Sequence, residues 1–323
     1  MKCRKCGAKA VINMRQHKLA LCGPDFLDWI PQQTERFIEK YRMFGRQDRL
    51  LVAVSGGKDS LGVWDVLHRL GYQADGLYIG LGIDDGTHYS QISQEKCLAF
   101  AESRGLHLIV YDVTAEEGAS IPQAASLTHR GRGKPCSVCG LTKRYIMNRV
   151  ARQGGYDALV TGHNLDDEAA VLFGNTLNWQ VGYLARQGPV LEASVEGFAR
   201  KVKPFFRFYE RETAAYAILR GIDYILDECP YAVGATSIYY KETLNRMETE
   251  RPGLKLHFYL SFLKAKEQGF FRPPQEDRPR LNACPGCGQP TGVPGLCAFC
   301  RTWNKVREAL GEPAPATKSA GKA

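Results

Sequence analysis

Two kinds of residue stand in patterns that chemistry could use: a glycine-rich turn carrying hydroxyls and one lysine, and cysteines set in pairs. The turn is S-G-G-K-D-S, Ser55 to Ser60, directly after the apolar run Arg49 to Val54. Gly56 and Gly57 let the backbone fold tightly enough for amide groups to approach a phosphate. Ser55 and Ser60 add hydroxyl donors, and Lys58 adds positive charge. A helix opening at Asp59 or Ser60 would aim its positive end at the same place. The pattern is not a Walker A loop, because Asp59 rather than Ser or Thr follows Lys58, and the first glycine of G-x4-G-K-[ST] would fall on Val52. Taken alone, it also suits a plain strand-to-helix turn with an acidic cap.

The cysteines sort by spacing. Cys284, Cys287, Cys297 and Cys300 form C-x2-C-x9-C-x2-C, two knuckles that suit a closed tetrahedral zinc site. Cys3, Cys6 and Cys22 form a less complete set, C-x2-C-x15-C-x2-D, in which the fourth ligand is Asp25 by knuckle spacing or His17 by chemistry; the spacing favours Asp25. Of the four cysteines left, Cys97 lies beside Leu98 and Phe100 and reads as a small buried helix residue. Cys229, in ILDECPY, reads on its own as an ordinary buried thiol. Cys136 and Cys139, in GKPCSVCG, begin a helical stretch whose dipole lowers thiol pKa and favours ligand thiolates. A dithiol redox pair and a third zinc site both remain open for them.

These residues need a scaffold. The run at 49–54 leads into the turn and then into the helix-like DSLGVWDVLHRLG. Residues 74–83 (ADGLYIGLGI), 106–113 (LHLIVYDV) and 156–164 (YDALVTGHN) repeat the strand signal, with helical segments between them. Such alternation predicts a parallel sheet covered on both faces, whose ligands bind beyond the carboxyl ends of the strands. The polar stretch 113–135, basic towards its end in HRGRGKP, is expected to be a loop that moves or binds, and 184–202 is expected to be similar. Residues 235–270 read as helical with a break at Pro252 and Gly253. The tail, poor in large apolar residues, is expected to be disordered.

Composition narrows the classes. With 323 residues and 44% hydrophobic content, the chain can bury a full core. It has no stretch near the roughly 18 consecutive apolar residues of a membrane helix, and no apolar leader region. A cytoplasmic location is therefore expected, and paired thiols in a reducing compartment hold metal more often than they form disulfides. The formal net charge of +9, clustered at HRGRGKP, at Lys143, Arg144, Arg149 and Arg152, and at residues 200–211, suits a polyanionic partner. Charge alone does not separate RNA binding from simple solubility.

S-G-G-K-D-S at the first strand-to-helix turn resembles the PP-loop of the ATP pyrophosphatase (adenine nucleotide alpha hydrolase-like) superfamily. There the loop grips the pyrophosphate end of ATP, and AMP passes to an acceptor as pyrophosphate leaves. The resemblance implies that Ala53, Val54, Ser55, Gly56, Gly57, Lys58, Asp59 and Ser60 hold ATP. Lys58 would stabilise the departing charge, and Asp59 would help hold Mg2+ or the loop's shape. It also implies that adenine lies against the backbone of Ile79 and Gly80. TGHNLDDEAA is similar to the family's G-H-x-x-D-D pattern, placing Gly162, His163 and Asp166 over the phosphates, with Asp166 a metal-binding or catalytic residue. Alone, LDDE would read as acidic helix capping, worth about 0.3–1 kcal/mol.

The PP-loop, the central C-x2-C and one distant cysteine together resemble the tRNA 2-thiolation enzymes of the TtcA/TtuA group. The two zinc modules are similar to its 2-thiouridine synthetase branch and absent from its cytidine branch. The likeness covers nearly the whole chain except the tail, and KVKPFFRFYERET resembles the group's K-P-[LF]-x5-E pattern, although Glu210 and Glu212 also suit a helix start. The resemblance implies an α/β, Rossmann-like parallel-sheet PP-loop domain flanked by N- and C-terminal zinc modules. The expected division is a zinc finger at 1–26, a helical linker at 27–48, the catalytic domain at 49–234, a helical segment at 235–282, a zinc ribbon and helix at 283–312, and the tail at 313–323. Cys136, Cys139 and Cys229 would hold a [4Fe-4S] cluster with one iron free of protein ligands, an open position for sulfur. Cys136 and Cys229 would join Lys58, Asp59 and Asp166 as the catalytic set. Two structural zinc ions, and ATP with Mg2+, complete the cofactors. Family members carry His or Cys where Asp25 stands.

The activity implied is ATP-dependent thiolation of a tRNA uridine, with the T-loop 5-methyluridine 54 as target. The sulfur donor would be a ubiquitin-like protein ending in a thiocarboxylate, and homodimer formation is a family expectation. The rivals are a wobble-uridine 34 thiolase, a PP-loop amidotransferase or ligase for a small molecule, and a non-enzymatic RNA-binding zinc protein with a degenerate loop.

Overall fold

The computed structural model describes residues 1–130, 135–193, 197–271 and 281–311. The chain opens with a hairpin, β1 (Ile12–Met14) paired antiparallel with β2 (Leu19–Leu21), and α1 (Gly23–Lys40) follows with Cys22 at its N-cap. The central unit then runs β3 (Arg49–Val54), α2 (Lys58–Arg69), β4 (Gln73–Gly80), α3 (Tyr89–Glu102), β5 (Leu108–Asp112), α4 (Val113–Glu117), α5 (Ile121–Ser126), α6 (Pro135–Gln153), β6 (Ala158–Thr161), α7 (Leu165–Leu177), α8 (Val181–Arg186), β7 (Val190–Leu191), β8 (Lys201–Val202) and α9 (Glu210–Leu219). α10 (Thr236–Glu250) and α11 (Leu254–Glu267) flank the break at Pro252 and Gly253. A second hairpin, β9 (Asn282–Ala283) with β10 (Pro290–Thr291), and α12 (Ala298–Leu310) close the described chain.

The sheet has the order β5-β4-β3-β6-β8-β7 and is parallel except for β7. β3 is central because its apolar residues are buried on both faces, as parallel strands require. Alternation divides them. Leu50, Val52 and Val54 face a core with Phe26, Trp64 and Phe205, while Leu51 faces a second core with Val138, Ile146 and Trp303. Each large side chain fully buried in this way contributes about 1.5–3 kcal/mol. The two hairpin modules thus share in the two cores of the sheet. Among the described residues, no helix is long and apolar enough to cross a membrane.

Two expected loops are in part regular structure. In 113–135, Asp112 caps α4 by accepting from the Thr114 and Ala115 amides, and Ser120 with Gln123 forms a capping box on α5. Ile121, Ala124 and Ala125 then pack into the core. The polar look of the segment came from these caps. In 184–202, β7 and β8 pair to finish the sheet edge. Residues 131–134 of the basic stretch, and the tail from 312 onwards, lie outside the described residues.

Candidate nucleotide and metal sites

The turn between β3 and α2 is fixed by its own hydroxyls. Ser60 Oγ accepts from the Ser55 amide at 3.1 Å and donates to the Gly57 carbonyl at 3.0 Å. Gly56 has φ +77°, and a Cβ there would meet the Ser93 carbonyl of α3 at 2.6 Å, so only glycine fits. A Cβ on Gly162 would lie 2.7 Å from the Asp59 backbone, which seats the end of β6 directly against the loop. Ile79 and Gly80 end the neighbouring strand β4. The two motifs, 107 residues apart by Ser55 and Gly162, therefore meet at the carboxyl edge of the sheet.

A charge network fills this junction. Lys58 Nζ donates to Asp59 Oδ2 at 3.0 Å and to Glu210 Oε1 at 2.8 Å. Burial pulls the Lys58 pKa down, but Asp59 and Glu210 outweigh it and hold the ammonium above the usual lysine value. Asp59 also accepts from Thr213 and Asn164, so its carboxylate ties α2 to α9 and α7; burial, opposed by Lys58, raises its pKa. Lys241 Nζ lies 2.5 Å from Asp167 and 3.4 Å from Glu210. Burial would raise the Asp167 and Glu210 carboxyls, yet Lys241 and, for Glu210, Lys58 bring both below their ordinary values. His163 Nδ1 is 2.8 Å from Thr161 Oγ1, and the surrounding protein and Lys203 lower its pKa.

Asp166, expected over the phosphates, is bound into the protein on both oxygens. It is buried, with Oδ1 2.5 Å from Lys255 Nζ and Oδ2 accepting from the Glu210 amide at 2.9 Å. Both oxygens are engaged by protein, so this carboxylate brackets the starts of α9 and α11. The next residue, Asp167, is partly buried and stands in the Lys241–Glu210 network, while its second role is a capping box with Asn164. The N-x-x-D spacing could have revealed that cap. Nothing local could have revealed Lys241, which arrives from α10.

The central thiols also converge. Pro135 opens α6, Cys136 is exposed near its start, and Cys136 Sγ is 3.4 Å from the Tyr231 carbonyl. Cys229 caps the short turn Pro230–Ala232, which brings it beside Cys139. Burial raises the Cys139 thiol, while Lys143, one turn further on, opposes that rise. Lys143 was counted in sequence only as part of a basic cluster; its i+4 spacing from Cys139 was the available signal. Cys97 is fully buried in α3.

The terminal sets form tighter cages. The ligand atoms of Cys284, Cys287, Cys297 and Cys300 lie within 4.8 Å of one another, as do those of Cys3, Cys6, Cys22 and Asp25. Among the described residues these two groups meet that limit, so the central three thiols are spread more widely than a single-ion cage. Cys287 and Cys297 sulfurs are 3.8 Å apart, matching the edge of about 3.8 Å that a tetrahedron with Zn–S of about 2.3 Å would have. Asp25 Oδ2 accepts from Cys3 at 3.0 Å and Cys22 at 3.1 Å, and the thiols hold its pKa at about 2. His17 instead packs on Trp29, with Nε2 3.4 Å from Glu212. Both donor sets suit zinc, and Asp25 rather than His17 completes the first.

Residues 2–27 match the family described as 2-thiouridine synthetase TtuA, N-terminal LIM domain, and residues 30–233 match the PP-loop domain family. A Thermus thermophilus protein named tRNA-5-methyluridine(54) 2-sulfurtransferase is 51% identical over 308 residues, 95% of this chain and 92% of the relative. One of the same name from Thermotoga maritima is 42% identical over 95% of this chain and 98% of its own length. Among solved structures, the U34-tRNA thiolase NcsA from Methanococcus maripaludis, described with its [4Fe-4S] cluster, aligns over 99% of both chains with TM-score 0.77 at 22% identity, a likeness of fold. By its PP-loop domain and its identity to these relatives over nearly its full length, the chain belongs to the tRNA-5-methyluridine 2-sulfurtransferase family.

Proposed function

We propose that the protein uses ATP to activate the C2 oxygen of a tRNA uridine, the T-loop 5-methyluridine 54, and replaces that oxygen with sulfur. The observation that carries this reading is the junction of an intact PP-loop with the G-H-N-L-D-D turn, in a chain 51% identical to a named 5-methyluridine(54) 2-sulfurtransferase. The uridine O2 attacks the α-phosphorus of ATP, the bond to the β-phosphate oxygen breaks, and pyrophosphate leaves. A sulfur nucleophile then attacks C2, and AMP departs with the former O2. Adenylation is needed because a carbonyl oxygen is a poor leaving group.

The chain's residues divide this work. The amides and hydroxyls of Ala53 to Ser60 cradle the phosphates, and Lys58 moves from Glu210 to the pyrophosphate as charge develops there. Asp59 holds the loop to α7 and α9. Asp167 takes the role first expected of Asp166, facing the nucleotide and its Mg2+, with Lys241 steadying it. Ile79 and Gly80 border adenine, and Gly162 and His163 close the phosphate end. Cys136, Cys139 and Cys229 would hold a [4Fe-4S] cluster, which supplies an iron position open to sulfur. The two terminal cages hold one structural zinc each. The sulfur donor is a ubiquitin-like thiocarboxylate, the enzyme is a cytoplasmic homodimer, and the basic surface holds tRNA.

The test is anaerobic thiolation of unmodified-sulfur tRNA with ATP and sulfide, read by nucleoside mass spectrometry. Wild type should convert position 54, while Lys58→Ala should keep its iron and lose ATP-dependent conversion. Thiolation at position 34 instead would move the reading to the wobble enzymes, and unimpaired Lys58→Ala would remove Lys58 from the reaction.

A further inference from the structure

A second cluster of charge lies further along the helix that Lys58 opens. Asp65, on α2, is wholly buried, and each of its oxygens takes two bonds. Oδ1 accepts from Arg104 Nε at 2.9 Å and from Arg220 Nη2 at 3.1 Å. Oδ2 accepts from Arg220 Nε at 2.8 Å and from the Tyr216 hydroxyl at 2.7 Å. A carboxylate withdrawn from water is costly unless such donors replace the lost hydration.

These bonds align two helices. Asp65 stands seven residues after Lys58, two turns or about 10 Å along the axis. Tyr216 and Arg220 stand six and ten residues after Glu210. Lys58 meets Glu210 at one end, and Asp65 meets Tyr216 and Arg220 at the other, so α2 and α9 run parallel with their starts together. Between these ends Asp59 accepts from Thr213, and Gly62 faces Tyr216 with a Cβ position 3.9 Å from its ring, so no side chain holds the helices apart. Arg220 grips Asp65 through two N–H groups, a fork that fixes direction as well as distance. A slip of α9 by one residue, about 1.5 Å, would break that fork and carry Glu210 away from Lys58.

We propose that Asp65 is a positioning residue for the phosphate loop: its clamp on Tyr216 and Arg220 sets the register of α9 on α2 and so holds Glu210 Oε1 against Lys58 Nζ. Asp65 acts through Glu210 and touches no reacting atom. The consequence for ATP rests on the proposed function; the placement of Glu210 stands without it.

The full chain without nucleotide is acetylated briefly with acetic anhydride, and labelling of Lys58 is read by peptide mass spectrometry. KM and kcat for ATP are read in the thiolation assay. Glu210→Gln should label Lys58 about tenfold faster, the gain in free amine when a charged partner is lost. Asp65→Asn should approach that rate and, added to Glu210→Gln, raise it no further. Tyr216→Phe, which keeps the ring and removes one bond, should shift labelling in the same direction by less, and it decides alone if Asp65→Asn does not fold. Arg104→Met, which leaves the α9 bonds in place, should not shift it. KM for ATP in Asp65→Asn should fall about fivefold, because Lys58 is no longer shared with Glu210, whereas a merely loosened fold would raise it.

Unchanged labelling in Asp65→Asn and Tyr216→Phe would overturn the clamp. An equal further rise in the Glu210→Gln background, or a rise in Arg104→Met as large as in Tyr216→Phe, would reduce Asp65 to general stability and overturn it too, as would a raised KM. A wild type without ATP-dependent thiolation would sink the proposed function, while the labelling series still decides the register.

Discussion

The two ends of the chain carry cages of the same plan but different chemistry. The C-terminal cage has four sulfurs, three of its cysteines nearly inaccessible, and docks on α6 through Thr142, Tyr145 and Asn148. The N-terminal cage replaces one sulfur with Asp25, leaves Cys6 exposed, and docks through His17 on Trp29 of α1 and through Gln16 and His17 on Glu212 of α9. A carboxylate in place of a thiolate gives a harder donor and a weaker hold on zinc. The difference teaches that a module's spacing sets which metal it can hold, while its docking surface sets what the metal stabilises. One end braces the start of α9, next to Glu210; the other braces the helix of Cys136 and Cys139.

The largest test removes a ligand outright. Cys284→Ser and Cys3→Ser should each lose one zinc, a site whose binding is worth on the order of 10–16 kcal/mol, measured as metal content after dialysis. Equal loosening of α6 by both variants would erase the contrast. Next, Asp25→Ala should weaken the N-terminal site by on the order of a hundredfold, one ligand's share of that energy, whereas Asp25→Cys should tighten it; competition with a zinc indicator reads both. If Asp25→Ala retains full affinity, His17 or water is the ligand instead. Glu212→Gln, at a fully buried carboxylate that accepts from Gln16 and from the Tyr209 amide, should cost about 1–3 kcal/mol in denaturant unfolding, without altering C-terminal zinc.

The smallest effect is acid dependence of the metal-free protein. Asp25 sits at about 2 because the surrounding thiols, Cys3 foremost, stabilise its charged form, below its unfolded value of about 3.9. A depressed carboxyl contributes stability above the unfolded pKa and loses it as pH falls through the folded one. Trp29, stacked near the module on Phe26, should report a fluorescence transition between about pH 4 and 2. The C-terminal cage has no carboxylate to produce such a step. A transition that persists in Asp25→Ala would assign it elsewhere.

Legibility in the sequence followed locality. The strand Arg49–Val54, its glycine turn and the paired cysteines depend on neighbours in the chain, so their residue types announce them. The short helices α4 and α5 were hidden because the polar residues that cap them also mark loops. Asp166 and Asp167 are adjacent, and only the arrival of Lys255 from α11 and Lys241 from α10 decides which of the two is turned inward. Glu210 was visible as part of a motif, but its bond to Lys58 required α9 to pack on α2. Asp25 was visible by spacing, and its contest with His17 ended only when Glu212 and Trp29 drew the imidazole away.

The engagement of Lys58 by Asp59 and Glu210 has one more consequence. An unpartnered lysine in a glycine turn would attract any small anion in the cell. Here an incoming anion must compete with two carboxylates already in place. Glu210 is held in turn by Lys241, so the two lysines share one carboxylate between them. The positive charge of the loop is thus already balanced within the fold, and whatever Lys58 binds enters by exchange with Glu210 rather than by filling an open site.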